Sequence, residues 1–433
     1  MTPIRPPKRP PLRGLVTVPG DKSVSHRALI LGAMAEGVST ITGSNDGDDV
    51  ARTGHALQAL GAAVVMDHRR GQVKVEGWGR SGPKEPTDVI DAGNSGTTAR
   101  ILLGLAAGGE GTTTITGDDT LRRRPMLRVV APLRAMGAAI DGRAHGDRLP
   151  LTVRGGALEG MAHDLTVASA QVKSALLLAG LGAAGTTSVT EPVRSRDHTE
   201  RMLAAAGVEV TIEGLTVVIA GGQQVSSFDW EVPGDISSAM FLIVAALLRD
   251  GSELTVANVG LNPTRIGALE VLRAMGADIT MHSAGRAAGE PRGDVTVRAS
   301  RLTATRVDAA IIPTLIDEVP ILAVAASQAD GATVFDGIGE LRAKESDRLS
   351  AVVEGLNAMG GNATADGDRL VIEGPVQLTG ATLASRGDHR MAMSFAVAGL
   401  VSTAPVQVEG WSCVDTSFPN FLDVLGAAQR RSR

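Results

Sequence analysis

Short, strongly apolar stretches recur along the chain, and polar residues stand just before them. Residues 174–181 read Ser-Ala-Leu-Leu-Leu-Ala-Gly-Leu, and residues 241–247 read Phe-Leu-Ile-Val-Ala-Ala-Leu. Wound as a helix, either stretch is apolar on nearly every face. This pattern predicts helices that are buried on all sides instead of lying on a surface.

Amphipathic helices and strands are predicted between the buried helices. Residues 72–76, Gln-Val-Lys-Val-Glu, alternate polar and apolar as a half-exposed strand does, and residues 215–219, Leu-Thr-Val-Val-Ile, are a second strand candidate. The pattern places helices inside and sheets outside, the reverse of usual α/β layering. One amphipathic helix is indicated by five apolar residues with helical spacing: Met126, Val129, Val130, Leu133 and Met136.

The same order of elements recurs six times with variations. Each copy has a buried helix, a strand and a second helix that ends near a glycine, and the copies are roughly 70 residues apart. Such repetition favours a repeat architecture over a generic doubly wound α/β chain. The copies span residues 29–62, 101–138, 176–208, 241–277, 321–361 and 395–427.

Composition and charge narrow the classes of function. The 433 residues carry a net charge of −5 and no Tyr, so we expect no basic domain and no stacking platform for nucleic acid. The single cysteine, Cys413, excludes a disulfide framework and a Cys-based zinc site, and the histidines lack paired metal spacing. No uninterrupted apolar run reaches membrane length. Residues 1–11 are rich in Pro and Arg without an apolar signal region, which predicts a loose strap and a cytoplasmic protein.

Polar groups gather where the buried helices begin. Asp21 or Ser23 can cap the first helix, which carries Lys22 at its start, and Ser23 shares a face with Arg27. Because a helix start is positive, it attracts anions. The other helix starts carry different polar groups, as expected for a site grafted onto a repeated scaffold, and they lie at residues 93–98, 169–171, 234–238, 316–318 and 387–390.

Clusters of cations in an acidic chain suggest anion binding. Four arginines fall within residues 122–128, and the spacing predicts that Arg124 and Arg128 share a face of one helix. Lys344 and Arg348 have the same spacing, so they repel unless an anion lies between them. The alternative interpretation is a set of solvated or ion-paired surface residues.

A carboxylate pair, Asp317 and Glu318, stands at the start of the fifth buried helix. Among cations a carboxylate can act as a base, and a simple helix cap is the alternative. The sequence offers no metal site and no nucleotide-binding loop. The residues alone therefore predict a site for a small polyanionic molecule.

Seven motifs resemble, in order, those of the 3-phosphoshikimate 1-carboxyvinyltransferase (5-enolpyruvylshikimate-3-phosphate synthase) family. The resemblance runs from about Leu12 to the end of the chain. The motifs are DKSVSHR at 21–27, GNSGTT at 93–98, LRRRPM at 121–126, SAQVKS at 169–174, DE at 317–318, LRAKESDRL at 341–349 and DHRMA at 388–392.

The resemblance implies an inside-out α/β barrel fold, the enolpyruvyl transferase fold, with six βαβαββ-type units in two domains. The implied domains are residues 20–236 and residues 1–19 with 237–433, each of three units, with the active site in the cleft between them. The implied reaction transfers the enolpyruvyl group of phosphoenolpyruvate to the 5-hydroxyl of shikimate 3-phosphate and releases phosphate. It proceeds through a tetrahedral intermediate and needs no metal or organic cofactor.

The resemblance also assigns roles to residues of this chain. Asp317 would take the 5-hydroxyl proton, and Glu345 with Lys22 would handle the proton at the vinyl carbon. Residues implied to hold shikimate 3-phosphate are Lys22, Ser23, Arg27, Ser169, Ser195, Arg196, Asp317 and Lys344. Residues implied to hold phosphoenolpyruvate are Lys22, Asn94, Gly96, Arg124, Gln171, Arg348 and Arg390.

Two departures from the family pattern concern the site. Ala170 stands where many members have Ser, and Thr416 stands where many have Lys, so one of the usual cations is in question. Both changes resemble a subfamily with glyphosate-tolerant members, whereas Gly96 leaves room for this inhibitor. We expect glyphosate to bind in the phosphoenolpyruvate site. Separately, we expect the protein to be a monomer.

Two alternatives come from different classes. The sister enzyme that acts on UDP-N-acetylglucosamine shares the fold, but it has Lys-Asn where this chain has Lys22-Ser23, and usually a Cys where this chain has residues 118–120. A non-catalytic anion-binding repeat protein would explain the cations. It would not explain Asp317 and Glu345 among them.

Overall fold

The computed structural model of the protein describes residues 2–4, 10–67 and 71–430. Strands and helices alternate along it, as the hydrophobic pattern predicts. The strands are β1 Thr2–Ile4, β2 Arg13–Val16, β3 Val38–Thr42, β4 Ala63–Asp67, β5 Gln72–Glu76, β6 Ile90–Asp91, β7 Thr112–Thr116, β8 Ala139–Gly142, β9 Arg148–Arg154, β10 Ala162–Asp164, β11 Thr186–Thr190, β12 Thr211–Glu213, β13 Thr216–Ala220, β14 Asp229–Glu231, β15 Glu253–Gly260, β16 Asp278–Ala287, β17 Glu290–Arg298, β18 Arg306–Val307, β19 Gly331–Phe335, β20 Asn362–Asp366, β21 Arg369–Gly374, β22 Thr382–Ala384 and β23 Val406–Glu409.

Helices of two kinds connect these strands. The α-helices are α1 Lys22–Met34, α2 Asp48–Ala59, α3 Gly96–Ala107, α4 Asp119–Arg123, α5 Leu127–Ala135, α6 Arg143–Gly146, α7 Ala170–Leu181, α8 His198–Ala205, α9 Ile236–Leu247, α10 Gly267–Ala274, α11 Val319–Ala326, α12 Arg348–Ala358, α13 His389–Val401 and α14 Phe421–Arg430. Short 3-10 helices lie at Gly79–Ser81, Ile312–Thr314, Ile316–Glu318, Gly339–Ala343 and Trp411–Thr416.

The strands form six small mixed sheets, and the sheets repeat one plan. In each sheet one pair of neighbouring strands is parallel and at least one other pair is antiparallel. The predicted six-fold repeat of an α/β unit is therefore confirmed. The strand orders are β14-β3-β5-β4, β6-β7-β9-β8, β10-β11-β13-β12, β16-β17-β15-β2, β18-β19-β21-β20 and β1-β23-β22.

Packing divides the chain into two compact units. The first unit comprises Gly20–Val232 with Arg286–Glu290, and the second comprises Met1–Pro19, Pro233–Gly285 and Pro291–Arg433. Each unit has its own hydrophobic core. A division by packing does not show that each unit folds or moves as a separate domain. The predicted domains, 20–236 and 1–19 with 237–433, therefore stay a prediction.

Three buried helices form the centre of each unit. In the first unit α1 packs on α3, and α3 packs along α7; in the second unit α9, α11 and α13 pack against one another. All residues of α9 and α11 are buried, whereas strands such as β3 and β9 alternate buried and more exposed positions. The prediction of helices inside and sheets outside is confirmed for each unit.

One prediction about the beginning of the chain is wrong. Residues 1–11 were expected to form a loose strap, but Thr2–Ile4 pair antiparallel with Val406–Val408 of β23. Residues 1 and 5–9 lie outside the described part of the chain.

Candidate functional site

The start of α1 gathers three residues predicted to bind shikimate 3-phosphate. Asp21 caps the helix by accepting a hydrogen bond from the Val24 amide at 2.9 Å. The first turn is thereby fixed, and Lys22 Nζ donates to Asp49 Oδ2 at 2.8 Å with both side chains mostly buried. One turn later, Arg27 Nη1 donates to the Ser23 carbonyl at 3.0 Å.

Arg27 is buried beneath this helix start. Its Nε donates to Thr199 Oγ1 and its Nη2 to Ser174 Oγ, both at 2.7 Å. Burial, more than any other cause, lowers the pKa of Arg27 to about 10, and the positive charge of Arg196 contributes in the same direction. Arg27 therefore stays a cation at neutral pH, in a place where a bound dianion would be favourable.

The loop before α8 carries Ser195, which a buried ion cluster holds in place. Ser195 Oγ donates to Glu191 Oε1, and the Ser195 amide donates to Glu191 Oε2 at 3.2 Å. Lys173 Nζ lies 2.6 Å from Glu191 and 2.7 Å from Glu200, with all three side chains at 2% exposure. Sequence reasoning missed this cluster, although a lysine inside the otherwise apolar α7 is a signal that could have found it.

Ser169 and Gln171 lie at the start of α7, as predicted. Ser169 Oγ accepts from the Val172 amide at 3.5 Å and so serves as the N-cap of α7. Gln171 Nε2 donates to Thr97 Oγ1 at 2.9 Å, which joins the starts of α7 and α3.

The start of α3 collects the residues predicted to bind phosphoenolpyruvate. Asn94 Nδ2 donates to Asp118 Oδ2 at 2.7 Å. A methyl group at Gly96 would lie 3.1 Å from Arg124 Nη1, so this guanidinium stands directly beside the positive end of the helix. The absence of a side chain at position 96 thus lets Arg124 approach the backbone closely.

Arg100 also belongs to this cluster, and sequence reasoning missed it. It is 5% exposed, and its Nη1 donates to Gln171 Oε1 at 2.6 Å. Its Nη2 donates to the Pro125 carbonyl at 3.1 Å, next to Arg124. A lone cation in the middle of the apolar helix α3 was the available signal.

The predicted placement of Arg124 and Arg128 on one helix face is wrong. α4 ends at Arg123, Arg124 is extended with ψ of 141°, and α5 begins only at Leu127. The cause is Pro125, because proline disfavours helical geometry in the residue before it.

In the second unit, Asp317 lies among three cations. Its Oδ1 is 3.0 Å from Arg348 Nη1 and 3.5 Å from Lys344 Nζ, and its Oδ2 is 3.8 Å from Arg390 Nη2. Cations at these distances favour the charged form of a carboxylate. The structure thus brings together four predicted residues that come from three separate motifs.

Arg348 is the buried centre of this cluster. Its side chain is 1% exposed, and it contacts Asp388 at 2.7 Å and Glu345 at 2.5 Å as well as Asp317. Burial alone would lower the pKa of Arg348, but the charges of Asp388, Glu345 and Asp317 outweigh burial and raise it well above its usual value.

Lys344 and Arg348 do not share a helix, contrary to the prediction from their spacing. Lys344 is extended with ψ of −157° after the 3-10 helix Gly339–Ala343, and Arg348 is the first residue of α12, which Asp347 caps. The two side chains nevertheless reach the same oxygen of Asp317. The anion expected between them is thus a residue of the protein.

The departure at the end of the chain lies in the 3-10 helix Trp411–Thr416. Thr416 Oγ1 donates to the Cys413 carbonyl at 2.7 Å and lies 3.4 Å from His389 Nδ1. The hydroxyl group is therefore engaged within the second unit.

The described residues hold neither a metal centre nor a membrane span. No group of three or more His, Cys, Asp or Glu side chains among them could hold a metal ion. No helix in the same part of the chain is both long and apolar enough to cross a membrane.

Comparisons with known proteins agree with the fold and show the family. The sequence model of the family EPSP synthase (3-phosphoshikimate 1-carboxyvinyltransferase) matches residues 6–425. The 3-phosphoshikimate 1-carboxyvinyltransferase of Synechococcus sp. is 50% identical over 417 residues, covering 96% of this chain and 94% of that protein. That of Shouchella clausii is 47% identical, covering 96% and 97%. The EPSP synthase structure from Acinetobacter baumannii superposes with a TM-score of 0.88 at 41% identity, covering 98% of this chain and 97% of that one.

The fold and these similarities define a carboxyvinyl-group transferase of the shikimate pathway. The chain belongs to the EPSP synthase (3-phosphoshikimate 1-carboxyvinyltransferase) family, and its substrates are shikimate 3-phosphate and phosphoenolpyruvate. The family membership decides against the UDP-N-acetylglucosamine enzyme and against a non-catalytic anion-binding protein.

Proposed function

We propose that Asp317 is the base that removes the proton from the 5-hydroxyl of shikimate 3-phosphate. The observation that supports this is its position among Arg348, Lys344 and Arg390, which favours the ionised carboxylate. The hydroxyl oxygen then bonds to C2 of phosphoenolpyruvate. C3 gains a proton, and the product of this addition is a tetrahedral intermediate.

Glu345 and Lys22 move the proton at the vinyl carbon in this proposal. Glu345 delivers a proton to C3 during addition and takes one back during elimination. The bond from C2 to the phosphate oxygen then breaks, phosphate leaves, and the C2=C3 double bond is restored. Glu345 is 21% exposed while its Oε2 contacts Arg348, so the side chain is anchored and still accessible.

The remaining candidates bind and orient the two anionic substrates. In this proposal two phosphates and a carboxylate are neutralised by fixed cations, which also stabilise the charge of the intermediate without reorganisation. The residues proposed for shikimate 3-phosphate are Lys22, Ser23, Arg27, Ser169, Ser195, Arg196, Asp317 and Lys344. Those proposed for phosphoenolpyruvate are Lys22, Asn94, Gly96, Arg124, Gln171, Arg348 and Arg390.

Substrate choice can be tested with one assay. The protein is mixed with phosphoenolpyruvate and either shikimate 3-phosphate or UDP-N-acetylglucosamine, and phosphate release is followed. We expect release with shikimate 3-phosphate only. Release with the sugar nucleotide alone would contradict the proposal.

Four further properties belong to the same proposal. Glyphosate competes with phosphoenolpyruvate, which is supported by a glycine, with no side chain, at position 96 beside the cations Arg100 and Arg124. The protein is a monomer, acts in the cytoplasm and has two domains, residues 20–236 and residues 1–19 with 237–433. A sedimentation measurement that shows a stable dimer would contradict the proposed monomer.

A further inference from the structure

Glu318 follows the proposed base directly in sequence, yet its side chain is buried away from solvent. It ends the 3-10 helix Ile316–Glu318, next to α11, and is 1% exposed. Within the described part of the chain, its Oε2 has no hydrogen-bond partner. A buried carboxylate is costly to keep, so a specific task is expected for it.

The neighbour of Glu318 is Arg390, the cation proposed to bind phosphoenolpyruvate. Arg390 Nη1 lies 3.3 Å from Glu318 Oε1 and donates to the Asp317 carbonyl at 3.2 Å. The carboxylate of Asp317 is farther away, at 3.8 Å from Arg390 Nη2. The guanidinium therefore lies between a buried acid and the proposed base, closer to the buried acid.

A chain of hydrogen bonds fixes Glu318 from the other side. Arg265 Nη2 lies 3.3 Å from Asp235 Oδ1 and donates to Ser237 Oγ at 2.7 Å. Since a guanidinium only donates, the Ser237 hydroxyl is free to donate to Glu318 Oε1. These residues are buried. Asp235 also caps α9 by accepting a hydrogen bond from the Ser237 amide at 2.8 Å, so this series of hydrogen bonds is anchored at the start of a helix.

We infer that Glu318 is a positioning residue that holds the guanidinium of Arg390 away from the Asp317 carboxylate. Without the negative charge of Glu318, the guanidinium of Arg390 would move across the 3.8 Å gap and pair fully with the Asp317 carboxylate. Arg390 would then be less available to the carboxylate or phosphate of phosphoenolpyruvate. The inference rests on the proposed role of Arg390 in binding that substrate.

The test compares Glu318→Gln with the native enzyme in steady-state kinetics and in direct binding of shikimate 3-phosphate. Glutamine keeps the volume but lacks the charge. We expect the KM for phosphoenolpyruvate to rise about tenfold, while the Kd of shikimate 3-phosphate stays within twofold. Glu270→Gln, an exposed change on α10, is the matched control and should alter neither constant.

A second background separates positioning from general loosening of the structure. In Arg390→Met, adding Glu318→Gln should change the KM for phosphoenolpyruvate less than twofold, because the group being positioned is gone. Thermal unfolding checks that each variant is folded. Should Glu318→Gln not fold, Glu318→Asp takes its place: the carboxylate then lies one methylene farther from Arg390, its hold on the guanidinium weakens, and we expect the KM for phosphoenolpyruvate to rise at least threefold.

Three results would overturn the inference. One is a rise in this KM below threefold, another is a fall, and a third is an equal effect of Glu318→Gln in both backgrounds. If Arg390→Met itself leaves the KM for phosphoenolpyruvate unchanged, the proposed role of Arg390 is wrong as well. If Arg390→Met raises it and Glu318→Gln does not, only the positioning role of Glu318 is wrong.

Discussion

The guanidinium of Arg348 and the carboxylate of Asp317 are joined at 3.0 Å, and Arg348 is at the same time the partner of Asp388 and Glu345. Arg348 is 1% exposed, so water could not take its place in stabilising the negative charges around it. The proposed base, Asp317, and the proposed proton carrier, Glu345, thus share one buried cation as a partner.

Replacing Arg348 should therefore cost stability as well as activity. Arg348→Met leaves three carboxylates without their shared partner, and breaking such a buried pair costs about 3–5 kcal/mol in the free energy of unfolding. Urea unfolding measures this. Arg298→Met, which removes exposed pairs with Glu253 and Asp278, is the control and should lower the free energy of unfolding far less. Equal losses in the two variants would contradict the central position of Arg348.

His26 should make stability depend on pH. It is fully buried on α1, and burial is the main cause that lowers its pKa from 6.5 to about 3. Between these values the unfolded chain binds a proton that the folded protein does not, so stability falls as pH falls below 6.5. From pH 6.5 to 5 the loss is on the order of 2 kcal/mol.

The measurement is the free energy of unfolding at several pH values for the native protein and for His26→Asn. Asparagine can still meet Thr53 Oγ1, which lies 2.7 Å from His26 Nδ1. We expect a flatter pH dependence for this variant between pH 6.5 and 5. His55→Asn, an exposed change on α2, should keep the native slope. Parallel slopes for His26→Asn and the native protein would show that His26 is not the group responsible.

Gly96→Ala should weaken glyphosate more than phosphoenolpyruvate. The added methyl group would lie 2.8 Å from Arg100 Nη1 and 3.1 Å from Arg124 Nη1, so it would push on two cations and take up space. Because the inhibitor is longer than the substrate, we expect its inhibition constant to rise at least tenfold, about 1.4 kcal/mol or more. The KM for phosphoenolpyruvate should rise less.

Inhibition constants of both forms decide this prediction. A native enzyme already insensitive to millimolar glyphosate would show that space at Gly96 does not control the pocket. Attention would then turn to Thr416, whose hydroxyl donates a hydrogen bond to the Cys413 carbonyl.

The sequence predicted the helices well because their signal is local. The apolar stretches that became α7 and α9, and the cap at Asp21, follow from the residues themselves. The strand predicted at 215–219 is observed at Thr216–Ala220, a shift of one residue.

Spacing alone failed where the backbone leaves the helix. Arg124 is extended because Pro125 follows it, and Lys344 lies outside the helix that Arg348 begins. Partners such as Arg100 with Gln171 could not be predicted either, since 71 positions separate them and only the packing of α3 on α7 brings them together.

The most direct test of the account is the turnover of Asp317→Asn measured together with its Kd for shikimate 3-phosphate. Asparagine has nearly the same shape but cannot accept the proton, so turnover should fall by roughly two to four orders of magnitude. The Kd should stay within about threefold, because the other groups proposed to hold this substrate are untouched. Asp366→Asn, an exposed change on β20, should behave as the native enzyme. Turnover near the native value in Asp317→Asn would contradict the proposed mechanism.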